Sequence, residues 1–300
     1  MKNITALTVS MNRTEDLISC IEACQNIDSL SKHVVIDFSS DIPVSINNDK
    51  VDVIRVENER SWWITRAYNA GLEFIKTEYL LKIDADVVID ANYFNKLKYT
   101  EYDHILFTNN DNDAGNFLVK NKIIQEVNGF NEYIYNRHDD LDLFDRIKTK
   151  KSDLNLLKVT DRITKKAHGD DKRIKSNKSI FLAKNESYHY GLVKATNDYG
   201  GLISSMNLWN SSKKRNYDIK NSTMYIKHNY SHKDLSKKDF LKSKKVFLDT
   251  FFRIYFRRNN TFNSKLLKRG LPLFLLFTPM NLVKTLFGFE IFPRINKKLL

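Results

Sequence analysis

The first 90 residues alternate between short apolar runs and segments with helical spacing, and this alternation restricts the fold more than any other feature. The runs ITALTVS, HVVIDF, VDVIRV and EYLLKI have the composition of buried strands. The segments TEDLISCIEACQNI and WWITRAYNAGLEFIK carry apolar residues at helical spacing, with Thr14 as the expected N-cap of the first. Strands that alternate with helices form a mostly parallel sheet covered on both faces, so we predict an α/β fold.

Polar residues stand at the carboxyl ends of three of these predicted strands. Residues 10–13 close the first strand, Asp37 closes the second, and Asp84 and Asp86 follow the fourth. Ligands of open α/β sheets bind at the carboxyl ends of the strands. We therefore expect these side chains to converge on one rim of the sheet.

Asp84 and Asp86 are separated only by Ala85. On an extended backbone, residues two apart point the same way, so both carboxylates can face one ligand. A hard divalent cation takes oxygen ligands and readily bridges them to phosphate oxygens. The same spacing is also typical of a strand-end pair that caps a loop.

A second acidic cluster, DDLDLFDR, covers residues 139–146 and follows a predicted turn at Asn128–Gly129. It is predicted to begin a helix at about Asp139. Acidic residues in a first helical turn are favoured by the helix dipole, and this alone would explain the cluster. A carboxylate at a helix start can also act as a general base when a substrate excludes water from it.

The residues before and around Asp84 resemble a known family. RAYNAGLEFIKTEYLLKIDADVVI resembles the stretch R-x-x-N-x-G…D-a-D of GT-A-fold glycosyltransferases of the family 2 type. LTVSMNR resembles their first strand and uracil-binding loop, with Met11 where a proline is more usual, and VVIDFSS resembles their second strand. The resemblance implies a Rossmann-like GT-A fold with a mostly parallel central sheet flanked by helices.

A second resemblance lies around the acidic cluster. NGFNE…RHDDLDLFDRI resembles N-G-F-d-E…W-G-x-E-D-x-D-L-x-x-R-l, which β-1,4-galactosyltransferases, polypeptide N-acetylgalactosaminyltransferases and bacterial chondroitin-type polymerases share. Asp139 takes the Glu position, Asp140 takes the Asp position, and Asp142 and Arg146 also match. The shortened acid at position 139 and the missing Trp-Gly pair affect the acceptor pocket more than the reaction. Both matches together span roughly residues 4–175.

The family resemblance implies an inverting, metal-dependent glycosyltransferase that uses a UDP-sugar. Asp140 is the expected base for the acceptor hydroxyl, and a single displacement by such a base inverts the anomeric centre. Asp139 and Trp63 are the expected acceptor contacts. Asp86 and His168 are the expected ligands of Mn²⁺ or Mg²⁺, and imidazole with carboxylate suits Mn²⁺ better. The expected nucleotide-sugar contacts are Ser10, Asn12, Arg13, Asp37, Arg66, Asn69, Asp84, Asn116 and Arg173.

The two cysteines, Cys20 and Cys24, are four residues apart on the first predicted helix. No further Cys or paired His is near them in sequence, so we predict reduced thiols of a cytosolic protein, with no zinc site.

The net charge of +13 belongs to the C-terminal part of the chain. Residues 213–300 contain 21 Lys or Arg against 5 Asp or Glu, whereas residues 1–212 contain 28 against 31 and sum to −3. We predict a GT-A catalytic domain over residues 1–212, with a nucleotide-sugar half (about 1–110) and an acceptor half (about 111–212). Residues 213–300 are predicted to form a basic, amphipathic helical extension.

The predicted extension mixes basic and aromatic residues, as in KKVFLDTFFRIYFRR. This composition fits an anionic membrane surface, and packing on the catalytic domain or a dimer contact are the alternatives. No uncharged apolar run reaches the roughly 18 residues of a spanning helix, and the N-terminus lacks a signal-peptide core. We therefore expect a cytoplasmic protein, peripheral at the inner face of the cytoplasmic membrane.

Two other functions compete with glycosyl transfer. A nucleotidyltransferase on a similar scaffold would favour a Gly-rich basic loop after the first strand, and SMNRTEDL is not one. A nucleic-acid-binding protein would use the basic extension, but the acidic rim argues against nucleic acid as a partner. The Lys-, Asn- and Ile-rich composition is typical of an AT-rich bacterial gene, so we expect a glycan or lipid-linked glycan acceptor in bacterial capsule, lipopolysaccharide or related surface polysaccharide synthesis. The oligomeric state stays open.

Overall fold

The computed structural model describes residues 2–59, 62–109, 115–134, 138–166, 204, 209, 214, 216–220 and 223–226. The strands are β1 (Ile4–Ser10), β2 (Leu30–Phe38), β3 (Val51–Val56), β4 (Tyr79–Lys82), β5 (Val87–Ile89), β6 (His104–Thr108), β7 (Asn116–Lys120), β8 (Leu156–Thr160), β9 (Ile163–Lys165), β10 (Tyr217–Lys220) and β11 (Thr223–Ile226). The helices are α1 (Thr14–Gln25), α2 (Ile64–Leu72), α3 (Ala91–Lys96), α4 (Asn121–Glu126) and α5 (Asp139–Lys150), with one 3₁₀ turn at Tyr99–Glu101.

Nine of the described strands form one sheet, in the order β10-β11-β3-β2-β1-β4-β7-β6-β8. β1, β2, β3, β4 and β11 run parallel to one another, and β6 is parallel to β8. β7 is antiparallel to both β4 and β6, and β10 is antiparallel to β11. β5 and β9 pair separately as a small antiparallel ribbon. The predicted mostly parallel α/β sheet is confirmed.

Apolar side chains on both faces of the central strands explain why those strands are central. All seven residues of β1 are buried, and α1 packs Cys20 and Cys24 on one face together with Leu81 of β4. The opposite face is covered by α2 and α5, whose buried residues share a core with Leu80. Strands that are buried on both faces have continuous apolar sequences, so these strands could be predicted from the sequence. Thr14 is the first residue of α1 and not its N-cap, which is Arg13.

β10 and β11 lie inside the segment that the sequence analysis assigned to a helical extension. β11 runs parallel to β3, its Met224 is buried in the core, and the Met224 carbonyl accepts a hydrogen bond from Glu57 N at 2.9 Å. The sheet therefore extends past residue 212, at least to residue 226. Strands of four residues show too little periodicity to be distinguished from helix in sequence. In the part of the chain that the structure describes, no helix has the length and apolarity to cross a bilayer.

Candidate active site

The carboxyl ends of β1, β2 and β4 meet at one edge of the sheet because these strands are parallel neighbours. β7 begins at this edge because it runs antiparallel to β4, with Phe117 opposite Lys82. α5 also begins near this edge, since the charges of Asp84 and Lys82 both act on Asp139. The rim predicted from the sequence is therefore formed by residues from the two predicted halves of the domain.

Asp84 and Asp86 lie on a tight turn and not on extended backbone. Val87 N donates to the Asp84 carbonyl at 3.0 Å, and Lys166 N donates to the Asp86 carbonyl at 2.9 Å. Ala85 between them is buried in the core under α1. The small apolar residue thus holds the turn against the core, and both carboxyl groups stay half-exposed at the rim. The backbone geometry assumed from the sequence was wrong because a turn begins where β4 ends.

Asp84 has two side-chain donors that sequence reasoning missed. Lys82 Nζ donates to Asp84 Oδ1 at 2.7 Å, and the Tyr68 hydroxyl donates to the same atom at 2.9 Å. Burial would raise the pKa of Asp84, but the Lys82 ammonium outweighs it and the pKa is lowered. The available signal was a lysine two residues before Asp84 in an otherwise apolar strand, since residues two apart share a face of the strand.

Asp86 lies beside a guanidinium group. Arg13 NH2 is 3.4 Å from Asp86 Oδ2, and it also donates to Asp16 Oδ2 at 2.9 Å. Lys166 Nζ is 3.9 Å from Asp16 Oδ1. Two basic side chains therefore line this part of the rim, where a phosphate group would find positive charge.

Ser10 and Asn116, both predicted donor-site residues, each have a buried polar atom that forms no hydrogen bond with the described residues. Asn116 Oδ1 accepts from Asp84 N at 2.8 Å, while its Nδ2 has no such partner and the residue is 1% exposed. The Ser10 hydroxyl is likewise buried and without a partner among them. Buried polar groups are nearly always hydrogen-bonded, so each of these is suited to a ligand atom.

Asn12 and Asp37 shape the loops beside the rim. Asn12 and Asp41 exchange two hydrogen bonds, of 3.0 and 2.7 Å, which join the loops after β1 and β2. The Asp37 side chain is fully buried and accepts from Ser40 N at 3.0 Å, from Val44 N at 3.1 Å and from Arg55. These bonds show that Asp37 stabilises the loop after β2. Its predicted contact with the nucleotide-sugar stays a prediction.

Asp139 and Asp140 open α5, as the sequence predicted. Asp139 is buried, and Asp140 is half-buried with Oδ1 accepting from Leu141 N at 2.8 Å. Burial, helped by the charges of Asp140 and Asp84, raises the pKa of Asp139 to about 7. The residue before them, His138, has a left-handed backbone with φ of 59°. A carboxyl group with a pKa near neutrality is suited to binding and releasing protons at the pH of a cell.

A buried arginine explains the spacing between the N-G-F turn and α5. Arg146 donates to Asp142 Oδ2 at 2.8 Å, and to the carbonyls of Val127 at 2.6 Å and Gly129 at 2.9 Å. Gly129 has φ of 65°, and a Cβ there would lie 2.5 Å from Asn69 Oδ1. These contacts fix the start of α5 relative to α2.

Asn69 belongs to the same connection. Its Nδ2 donates to the Phe130 carbonyl at 2.8 Å and to Glu132 Oε1 at 2.9 Å, and its Oδ1 accepts from Phe130 N at 2.8 Å. Both ends of the amide are thus hydrogen-bonded to the segment around Phe130, and the predicted contact of Asn69 with the nucleotide-sugar stays a prediction. The structure gives Asn69 the role of joining α2 to the loop before α5.

The family model "Glycosyl transferase family 2" matches residues 5–149, which include both acidic pairs of the rim. Residues 5–149 form a family 2 glycosyltransferase domain. The predicted enzyme class is thereby confirmed. No curated protein sequence matches the chain.

Several solved glycosyltransferase structures are similar to this chain. Drosophila β1,4-galactosyltransferase 7 in complex with xylobiose aligns with a TM-score of 0.47 and 12% identity, over 77% of this chain and 96% of that one. S. aureus TarS 1–349 in complex with UDP aligns with a TM-score of 0.48 and 10% identity, over 87% of this chain and 74% of that one. A third structure is glucosyl-3-phosphoglycerate synthase from Mycobacterium tuberculosis in complex with Mn²⁺, UDP and phosphoglyceric acid. It aligns with a TM-score of 0.46 and 10% identity, over 67% of this chain and 78% of that one.

The two tryptophans of the glycosyltransferase domain are both buried, at 7% exposure for Trp62 and 3% for Trp63. Trp63 Nε1 donates to the Glu132 carbonyl at 3.1 Å, and the Arg66 guanidinium lies 3.8 Å from the centroid of its ring. Trp62 packs edge-to-face on Phe38. In the described structure Trp63 therefore holds the backbone at Glu132 through its indole N–H. Its predicted acceptor contact stays a prediction.

The fold brings His33 close to the two cysteines, which the sequence analysis did not foresee. One ligand atom each of Cys20, Cys24 and His33 lies within 4.8 Å of the others, and all three residues are buried. His33 Nε2 is 2.9 Å from the Thr8 hydroxyl, which in turn donates to the Ile83 carbonyl at 3.0 Å. Burial lowers the pKa of His33 to about 3, so this histidine is neutral. The cluster lies under α1, on the face of the sheet opposite Asp139.

Two predicted site residues of the glycosyltransferase, His168 and Arg173, lie outside the described residues. The described range that precedes them ends at Lys166, whose backbone N donates to the Asp86 carbonyl. Their predicted roles at the metal and the diphosphate stay predictions.

We expect Asp139→Asn to stabilise the domain at alkaline pH. The folded state holds the Asp139 proton up to a pKa of about 7, above the ordinary value near 4 of an unfolded chain. Stability is therefore lost as pH rises between these two values, and above pH 7 the whole penalty is present. Asn removes the penalty, which has a ceiling of roughly 4 kcal/mol and is shared with the neighbouring acids. Thermal unfolding at pH 8 and at pH 4.5 measures the effect.

The matched control for Asp139→Asn is Asp145→Asn on the same helix. Asp145 is exposed, so we expect its neutralisation to leave the stability of the domain at pH 8 close to that of wild type. An Asp139→Asn variant that is no more stable than wild type at pH 8 would show that this carboxyl is not strained by burial.

Proposed function

We propose that the protein transfers a hexose or an N-acetylhexosamine from a UDP-sugar to a glycan acceptor, with inversion and with a divalent cation. One observation carries the proposal. The acidic turn at Asp84–Asp86 and the acidic helix start at Asp139–Asp140 meet at one rim of a family 2 domain, close enough for Asp84 to raise the pKa of Asp139. A donor held at the first pair would thus present its anomeric carbon to the second.

The residues at the acidic turn fit Mn²⁺ or Mg²⁺. Asp86 offers carboxylate oxygens on a half-exposed side chain at a strand end, and oxygen is the ligand type that these hard cations prefer. Asp86 would hold the ion, and Asp84 would contact the ribose or a metal-bound water. When bound, the cation stabilises the negative charge that develops on the departing diphosphate. Arg13 and Lys166 add positive charge at the same place.

The remaining proposed donor contacts follow from the Ser10 hydroxyl and the Asn116 amide nitrogen, which are buried and have no hydrogen-bond partner among the described residues. The Ser10 hydroxyl ends β1 beside Asp37 and suits the nucleoside. The Asn116 amide adjoins Asp84 and suits a hydroxyl of the donor sugar. Both groups are on rigid strands, so they would select donor orientation with little loss of side-chain entropy.

Asp140 is the proposed general base. It would accept the proton of the acceptor hydroxyl as that oxygen attacks the anomeric carbon, and the acceptor itself would exclude water from the half-buried carboxylate. Asp139, buried behind it, would accept a hydrogen bond from a second acceptor hydroxyl when ionised. One displacement from the face opposite the leaving group gives an inverted product.

The acceptor and the location of the enzyme belong to the same proposal. The surplus of 16 positive charges in residues 213–300, mixed with aromatic residues, supports binding at an anionic membrane surface. Lipid-linked glycan acceptors of bacterial capsule, lipopolysaccharide or related polysaccharides are assembled on such a surface. We therefore propose a peripheral position at the inner face of the cytoplasmic membrane.

The full chain is expected to sediment with anionic liposomes at low salt. Each basic residue near the surface contributes about 1 kcal/mol, and added salt screens it, so binding should weaken as salt rises. A chain truncated after residue 230 retains every described strand and should stay in solution and still bind UDP. Full-length protein that ignores anionic liposomes would refute the membrane role, and neutral liposomes are the control.

A thermal-shift screen of nucleotides tests the proposed function. UDP with Mn²⁺ should raise the melting temperature, and UDP with EDTA should raise it much less, because ligands that bind only the folded state stabilise it. Stabilisation by nucleoside triphosphates and not by UDP would favour a nucleotidyltransferase. Stabilisation by oligonucleotides alone would favour nucleic-acid binding through the basic segment.

A further inference from the structure

A buried lysine lies directly beneath the acidic turn. Lys82 is the last residue of β4, and its side chain is 2% exposed. Its ammonium donates to Asp84 Oδ1 at 2.7 Å and to the Gly115 carbonyl, and it lies 4.6 Å from the centroid of the Tyr68 ring. Burying an ammonium is costly unless charged and polar partners surround it, so a lysine here needs these contacts.

The charged and polar groups around Lys82 come from four elements. Asp84 is in the turn after β4, the neutral Tyr68 is on α2, and Asp139 and Asp140 are at the start of α5. The charge of Lys165, on β9, also acts on Asp84. Burial would lower the pKa of Lys82, but the three carboxylates outweigh it and the pKa is raised. Lys82 is therefore a permanent cation between the donor-side acid and the acceptor-side acids.

We propose that Lys82 is a positioning residue, which holds Asp84 and the Gly115 backbone in place for the donor and offsets the negative charge of Asp139 and Asp140. The inference rests on the proposed function, since it assigns the donor to Asp84. It follows from the contacts that Lys82 makes two links at once: one to the turn, and one to the residue immediately before Asn116.

The two links have a direct consequence for Asn116. Its Oδ1 accepts from Asp84 N at 2.8 Å, and its neighbour Gly115 is bound to Lys82. Loss of the ammonium would loosen both ends of the Asp84–Asn116 contact. It would also leave Asp84, Asp139 and Asp140 without their buried counter-charge, and so repel an anionic donor.

The test uses Lys82→Met in the full chain, with Lys120→Met as the matched control. Lys120 is on β7, makes the same kind of bond to Asp103 at 2.9 Å, and lies at the opposite end of the sheet beside Tyr79. Lys82→Met should raise the KM for the donor about tenfold or more, with a smaller change in kcat, because Asp84 and the Gly115 backbone would no longer be held in position for the donor. Lys82→Arg should restore part of the donor affinity, and Lys120→Met should leave KM unchanged.

The pH profile separates positioning from a general loss of structure. Lys82 lowers the pKa of Asp139, so its removal should move the acid limb of kcat/KM to higher pH. A merely destabilised protein would lose activity at every pH without moving that limb. An unchanged donor KM together with an unmoved acid limb in Lys82→Met would overturn the proposal.

A double-mutant cycle on unfolding gives a readout that needs no donor. Lys82→Met alone leaves buried carboxylates uncompensated and should lower the melting temperature strongly. In an Asp84→Asn background the same change should cost much less, so that the double variant melts above Lys82→Met. Additive effects, or a double variant as unfolded as Lys82→Met, would overturn the link between the two residues. If wild type binds no UDP, the proposed function fails, and this cycle still decides whether Lys82 holds Asp84.

Discussion

Asp86→Ala is expected to abolish both glycosyl transfer and the Mn²⁺-dependent part of UDP binding. Asp86 is the carboxylate that we assign to the cation, and removing the charged ligand removes the ion that stabilises the leaving diphosphate. The turn itself should survive, because it is held by the backbone bonds of Asp84 and Asp86 and by buried Ala85. Calorimetric titration of UDP with Mn²⁺ and with EDTA measures the loss.

Asp90→Ala is the matched control for Asp86→Ala. Asp90 is four residues further on, where its side chain accepts from Tyr93 N at 3.0 Å as the N-cap of α3. Its loss should cost about 1 kcal/mol of stability and leave UDP binding intact. Tight, Mn²⁺-dependent UDP binding by Asp86→Ala would remove this residue from the metal site.

Asp140→Asn is expected to lower kcat by about 10²-fold or more while UDP-sugar binding stays nearly intact. The amide keeps the size of the side chain and its place at the start of α5, but it cannot take a proton from the acceptor hydroxyl. The proposed donor groups lie on β1, on β7 and in the turn after β4, so they should not be disturbed. Steady-state rates at saturating acceptor, with donor affinity measured separately, distinguish the two effects.

Asp145→Asn provides the control for Asp140→Asn on the same helix. Asp145 is exposed and five residues further along α5, so its neutralisation should leave kcat close to wild type. Turnover by Asp140→Asn equal to that of the control would show that another group takes the proton.

The sequence predicted the strands and the rim because both follow from local patterns. Apolar runs such as ITALTVS locate the strands β1, β2 and β4, and parallel order then puts their carboxyl ends together. The helix start at Asp139 was also readable, since acidic residues concentrate in its first turn. What these predictions share is that they depend on residues close together in the chain.

The parts that the sequence did not predict depend on contacts between distant residues. The sequence did not show that Asn69 binds the turn around Phe130, which is 61 residues away. His33 was not expected beside Cys20, because nothing in the spacing shows that β1 and β2 bring Thr8 and His33 together near Cys20 of α1. Lys82 was overlooked for a different reason: a single lysine in an apolar strand is informative only once burial is known.

The start of the predicted extension shows the same limit at the scale of an element. Residues 217–220 and 223–226 form two strands of the sheet because the edge of β3 pairs with the second of them, and the sequence of a four-residue strand does not reveal its pairing partner. Residues 213–300 are strongly basic, but charge by itself does not determine secondary structure.

Release of UDP from a panel of UDP-hexoses and UDP-N-acetylhexosamines tests the central claim most directly. The full chain should release UDP from at least one donor with Mn²⁺, much faster than with EDTA, and a glycan acceptor should accelerate the release and yield a product of inverted configuration. A folded chain that releases UDP from none of these donors, with Mn²⁺ and a panel of glycan acceptors present, would contradict the assignment of the rim as a UDP-sugar transferase site.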